Sequence, residues 1–431
     1  MCTRTSAKFF LCSAALWAAL STVAGADQAS DLLDRVRTLT KVDISAMQKK
    51  AESEGDPSTE FMLAVVYTQG LLVPEDDVQG VSWDRKAADQ NFPPAEVALA
   101  TAYQLGRGIA KDEGEALKWY MKAANQGSAM AETNIGEMYA TGTGMPQNFS
   151  EAKNWYIKAV EHGSPVAEHN LATMYFLGQG VKEDPKEAIK WLRKSADHGL
   201  ATSDFQLGMC YQQGFGIKKD EKKSIELFRK AANLGEDKAS TELGWAYANG
   251  VGVSRDYGEA ARWYRRSAEH GDPAAAYGLG VRYMLGQGVN RDYAESAKWL
   301  KVAADKGHGD AQFNLAMLEV QALSNPPEAL KYATMAAEQN TRDAAIFVAE
   351  LYAAGALGSR NLGLAYEWAL IAQEQGDPRA APALSQLRPQ LPDGEQAKEE
   401  SLAHSWLADH PLQSKQKQST GDPLLPDSLA H

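Results

Sequence analysis

The stretch Lys118-Trp119-Tyr120-Met121-Lys122-Ala123-Ala124 returns 36 residues later as Asn154-Trp155-Tyr156-Ile157-Lys158-Ala159-Val160, and again as Lys190-Trp191-Leu192-Arg193-Lys194-Ser195-Ala196. The phrase reappears at Arg262-Trp263-Tyr264 and at Lys298-Trp299-Leu300. A fixed period of this size specifies stacked supersecondary units, none of which buries its apolar face alone. The 431 residues therefore do not translate into a count of globular domains, because a stacked array grows without a central core.

Units start at Pro57, Pro93, Ala129, Pro165, Ala201, Asp237, Pro273, Gly309 and Arg342; the one from Gly309 is three residues shorter than the rest. Most open with a helix A carrying Leu-Gly or Leu-Ala and then an aromatic, as in Leu207-Gly208 with Tyr211. Spacings of three and four keep these on one helical face. A glycine pair such as Gly142/Gly144 ends helix A with a left-handed cap. It mimics a phosphate-binding GxG, but those loops follow a strand, and no strand pattern is present. Helix B opens on Asp112/Glu115, Asn148/Glu151, Asp184/Glu187, Asp256/Glu259 or Asp292/Glu295, the spacing of a capping box. Seven of the ten tryptophans occupy one repeat position, which predicts core staples.

The pattern A-x-x-x-L-G-x-x-Y-x-x-G-x-G, then D-x-x-x-A-x-x-W-Y-x-K-A-A-x-x-G, resembles the Sel-one-like repeat family, relatives of tetratricopeptide repeats. The resemblance covers residues 57–377. It implies an all-α, right-handed superhelical solenoid of about nine helix–turn–helix repeats, used as a protein-binding scaffold. Residues 27–56 are expected to form an N-terminal helical cap, with Ala46, Met47 and Ala51 covering the first repeat. Residues 378–410 are expected to form C-terminal capping helices. Residues 411–431, rich in Ser, Lys, Gln and Pro, are expected to be disordered.

Arg4 and Lys8, the apolar run from Phe9 to Leu20 and Ala24-Gly25-Ala26 have the form of a signal peptide over residues 1–26. This predicts export to a periplasm or beyond the cell, with mature protein starting at Asp27. Nothing later is long and apolar enough for a membrane span. Cleavage would leave Cys210 as the single cysteine, at an apolar helix position. Losing Arg4 and Lys8 takes the formal charge from −12 to −14. With no basic cluster, nucleic acid and anionic membrane are poor partners.

Catalytic and metal signatures are weak. His162, His198 and His270 share one repeat position. Neighbouring repeats stack about 10 Å apart, too far for one zinc with ligands at about 2 Å. Some cysteine-rich bacterial members of the resembling family are linked to penicillin binding or hydrolysis, but their paired cysteines are missing. Ser150-Glu151-Ala152-Lys153 and Ser414-Lys417 fit S-x-x-K, without a second motif. No catalytic, metal or cofactor residue is assigned. Protein or peptide partners are expected on the concave face lined by helix A, at Asn134, Glu137, His169, Asn170, Phe205, Gln206, Thr241, Glu242, Trp245, Tyr277, Phe313 and Asn314. Aromatic rings there supply contact area and amides bond a backbone. A cell-envelope or exopolysaccharide assembly role and a cell-wall or β-lactam hydrolase are the alternatives. In a eukaryotic lumen, Asn148-Phe149-Ser150 would be a glycosylation acceptor.

Overall fold

The computed structural model describes residues 41–71, 73–392 and 394–410; the expected leader and tail lie outside the described residues. Every regular element among the described residues is helical. The helix α1 (Lys41–Glu54) leads into nine pairs of helices. These are α2 (Pro57–Thr68) and α3 (Asp77–Asp89), α4 (Pro93–Leu105) and α5 (Glu113–Ala124), α6 (Ala129–Thr141) and α7 (Phe149–Glu161). Then come α8 (Pro165–Leu177) and α9 (Pro185–Asp197), α10 (Ala201–Gln213) and α11 (Glu221–Asn233), α12 (Asp237–Asn249) and α13 (Tyr257–Glu269). The series ends with α14 (Pro273–Leu285) and α15 (Tyr293–Asp305), α16 (Gly309–Gln321) and α17 (Pro326–Glu338), α18 (Ala344–Ala354) and α19 (Leu362–Glu374). The helix α20 (Ala380–Leu387), a 3₁₀ turn and α21 (Glu395–Asp409) follow. Even-numbered helices up to α18 are thus helix A of a repeat, and odd-numbered ones from α3 are helix B.

The chain divides into two compact units, Met1–Lys219 and Asp220–His431, with the boundary inside the fifth repeat between α10 and α11. Within each unit, helix A packs on its own helix B, which packs on the next helix A. Ile44 and Ala51 of α1 are buried and Met47 is half-buried, whereas Ala46 faces solvent.

Two glycines show why the repeat needs them. Gly142 takes φ 76°, closing α6 with its N–H on the Met138 carbonyl at 2.9 Å. A Cβ on Gly144 would lie 2.6 Å from the Cβ of Glu113, at the start of the previous helix B. The first glycine therefore caps, and the second admits the neighbouring repeat.

The helix-B caps form, but not as full capping boxes. Asp112 accepts the Glu115 N–H at 2.9 Å, and Asn148 accepts those of Ser150 and Glu151. In the box, the third-position Glu would take the cap's own N–H. That N–H goes instead to a helix-A carbonyl: Asp112 to Tyr103 at 3.0 Å, Asn148 to Tyr139 at 2.8 Å and Asp256 to Tyr247 at 2.9 Å. The turn is thereby tied from both ends. Glu115, Glu187 and Glu295 pair with Lys118, Lys190 and Lys298 one turn on. In the short repeat no glycine pair remains; Ser324 takes φ 55° and Asn325 keeps the link, donating to the Glu319 carbonyl at 2.7 Å.

The tryptophans are also shallower than expected. Trp83 and Trp368 are buried, but Trp119, Trp155, Trp191, Trp263 and Trp299 are half-buried. Lysine ammoniums lie 4.3 Å from the Trp119 ring centre and 4.0 Å from that of Trp155. An amphipathic ring with a cation over its face suits this depth. The large helix-B side chain that is deeply buried is the next residue, where Tyr120, Leu192, Phe228 and Leu300 are at most 1% exposed.

Candidate binding face

The site expected on helix A resolves into three kinds of residue. The first kind ties neighbouring elements together. Asn314 is 1% exposed, and its amide donates to the Tyr277 hydroxyl at 3.3 Å. It is packing rather than surface, because that hydroxyl needs a partner away from water. Tyr277 itself stacks on His308 with ring centres 4.6 Å apart. Thr241 shares a hydrogen bond with Ser267 at 2.8 Å, and Phe313 meets Phe347 edge-on at 5.8 Å. His169 contacts Ser203 of the next helix A through Nδ1 at 2.8 Å, and burial lowers its pKa.

The second kind is half-buried and edges onto solvent: Asn134, Asn170, Phe205, Gln206, Glu242 and Trp245. Asn134 sits against the Tyr120 hydroxyl and Asn170 against that of Tyr156. Thr101 and Gln104 complete the hydrogen bonding of Tyr120, each at 2.9 Å. Burial, with the Glu137 charge adding, pushes Tyr120 up to about 12 and raises Tyr156 likewise. Both phenols are therefore neutral hydrogen-bonding groups at ordinary pH. The third kind is Glu137 alone, exposed to solvent.

The shared histidine position ties the end of helix B to helix A. His162 Nδ1 lies 2.7 Å from Glu132, and His198 Nδ1 lies 2.8 Å from Glu168. Both carboxylates are buried on helix A of the same repeat. Earlier repeats make the same tie with glutamine, Gln90 to Glu60 at 2.7 Å and Gln126 to Glu96 at 2.8 Å. Sequence reasoning missed this pairing; its signal was an acid recurring in register with Gln or His 30 residues on. His270 departs from it, pairing with Asp237 at the surface.

Among the described residues no group of three or more His, Cys, Asp or Glu could hold a metal ion. Lys153 of the S-x-x-K match lines an open cleft with Tyr175, Lys182 and Asp184. Ser150 spends its N–H on the Asn148 cap, and no hydrogen bond joins its hydroxyl to Lys153. The described serine and lysine therefore lack the contact an activated nucleophile requires.

The Sel1 repeat family model matches residues 57–92, 93–128, 129–164, 165–200, 201–236, 237–272, 273–308, 309–341 and 342–377. Among solved structures, c5321, a protective antigen present in uropathogenic Escherichia coli strains and displaying an SLR fold, is 25% identical. That alignment covers 87% of this chain and 91% of the antigen, with a TM-score of 0.49. A Sel1 repeat protein from Oxalobacter formigenes is 37% identical over 51% of this chain and 90% of its own, with a TM-score of 0.48. Yeast Tom70 is 13% identical over 86% of this chain and 93% of its own, with a TM-score of 0.28. No curated protein matches the chain.

Proposed function

Since this chain belongs to the Sel1 repeat family, we propose that it is a non-catalytic scaffold, exported from the cytoplasm, that holds a protein partner on its helix-A faces. The repeat consensus is consumed by packing. Leucines, glycines, caps and helix-B aromatics join neighbouring helices. What varies from repeat to repeat is the half-buried edge of helix A. The observation that carries the reading is the chemistry of that edge. Phe205 with Gln206 and Trp245 with Glu242 set rings beside polar groups, the composition of protein-binding hot spots. Trp245 carries particular weight because it breaks the rule that fixes the repeat tryptophans. Export rests on Arg4, Lys8, Phe9 to Leu20 and Ala24-Gly25-Ala26.

The test is crosslinking of the native protein in its own compartment, followed by capture with the Phe205→Ala, Trp245→Ala double variant. Loss of the crosslinked partner is expected; undiminished capture overturns the assignment of the face. Mature protein beginning at Asp27 by N-terminal sequencing is the expected sign of export, and an intact Met1 in the native compartment refutes it. Turnover of a chromogenic β-lactam by pure protein would refute the non-catalytic reading.

A further inference from the structure

Charge is sorted by helix in the unit Met1–Lys219. Its five A helices, α2, α4, α6, α8 and α10, contain neither lysine nor arginine. Their acids Glu60, Glu96, Glu132, Glu168 and Asp204 are all buried. Glu137, in the middle helix of the five, is the exposed charge that remains. No hydrogen bond or ion pair among the described residues engages its carboxylate, whereas Glu115 and Glu187 on helix B have lysine partners. Around it the face is uncharged. Asn134, Asn170 and Gln206 hold one repeat position in three consecutive repeats, and Leu105 and Leu177 stand about 60% exposed at helix ends.

Repeat spacing is about 10 Å, and an extended chain advances about 3.3 Å per residue. An amide at one position of successive repeats therefore meets every third residue of an extended segment. Asn134 and Asn170 each offer one side to a tyrosine hydroxyl, and an amide has two donors and an acceptor to share. An acidic segment finds no cation on this face and meets Glu137 as a like charge. A basic one gains an ion pair without displacing an existing partner. Charge thus selects by attraction and by exclusion.

We propose that the helix-A face of this unit takes an extended, uncharged-to-basic polypeptide segment, with one lysine or arginine seated on Glu137 and the backbone followed by Asn134, Asn170 and Gln206. This rests on the helix-A face being the binding surface, and the experiment separates the two. Random 12-residue peptides displayed on phage are selected on the full chain, on Glu137→Lys and on the Asn134→Ala, Asn170→Ala double variant, each checked for native helicity. The pool from the unaltered chain is expected to gain lysine or arginine at one position. A synthetic winner is expected to bind Glu137→Gln about 10-fold more weakly and with a flatter salt dependence. Glu137→Lys is expected to turn the selection toward Asp and Glu. Binders lost in the double variant, yet indifferent to Glu137→Lys and without basic enrichment, overturn the basic partner and leave the face standing. Binders indifferent to every substitution, or no enrichment at all, overturn both.

Discussion

The two units solve one packing problem with different chemistry. At the fourth position of helix A, the first unit buries Glu60, Glu96, Glu132, Glu168 and Asp204. The second has Ser240, Ala276, Gln312 and Ala345 there, all neutral. Where the first unit ties that position to helix B with Glu–Gln and Glu–His pairs, the eighth repeat uses Gln339 on Gln312 at 2.8 Å. The fold thus needs neither a charge nor a polar tie at this position, since Ala276 and Ala345 fill it with a buried methyl group. A buried ion costs desolvation that only good partners offset, so the first unit should be the more sensitive to pH and to loss of a partner. The second unit concentrates its buried charge elsewhere: Arg282 lies under the Tyr257 ring at 5.1 Å, and Glu399 of α21 lies beside Glu367.

Asp84 offers the largest test of that contrast. It holds a buried helix-B position of the first repeat, where later repeats place Tyr120, Tyr156, Leu192, Phe228, Tyr264 and Leu300. It is 5% exposed, its Oδ1 has no partner, and burial raises its pKa well above the ordinary value. Asp84→Leu should stabilise the first unit by about 2–3 kcal/mol, from the apolar burial gained and the lost cost of an unpaired carboxyl. The sign with pH follows. Below about pH 3.9 the carboxyl is protonated in both states. Above it the unfolded chain ionises while the folded carboxyl resists, so native stability falls with rising pH. The gap between variant and native protein should widen as pH rises. Hydrogen exchange read by mass spectrometry locates it; an equal gain in both units breaks the comparison. Glu96→Gln should show the same sign on a smaller scale, because burial raises Glu96 as well while Lys122 counteracts.

A histidine pair comes next in size. Removing His198 strands the buried Glu168, while removing His270 frees an Asp237 already 38% exposed. His198→Ala should cost about 1–3 kcal/mol, the penalty of an unsatisfied buried acceptor. His270→Ala should cost about 0–1 kcal/mol, as surface pairs do. Urea midpoints of the two variants check this, and equal losses would mean that the buried tie has no special weight.

Why these ties escaped the sequence is instructive. Period, glycine pairs and helix-B caps were readable because each repeats a residue type with a local cause. The tie between Glu132 and His162 joins two polar residues 30 positions apart, one of them inside an apolar stripe. Periodicity counts such an acid as a break in the stripe and assigns it to solvent. The capping glutamates were misread in the opposite direction. Their spacing fits a box, but the cap N–H was already committed to a carbonyl across the turn, a contact that requires the folded loop. On the candidate face, helical phase identified Glu137 as exposed but failed for Asn314. One-face logic does not say how far the preceding repeat's tyrosine reaches.

Cys210 supplies the finest test. It lies on α10, against which α9 packs, and burial pushes its thiol up to about 11. At pH 8 the folded chain therefore presents almost no thiolate, and iodoacetamide should label Cys210 only through opening of the first unit. His198 caps the end of α9, so His198→Ala should speed labelling several-fold under native conditions. His270→Ala, in the second unit, should leave the rate unchanged. Acceleration by both would mean that the units open together, and the contrast drawn from their buried acids would then be one of composition without consequence for stability.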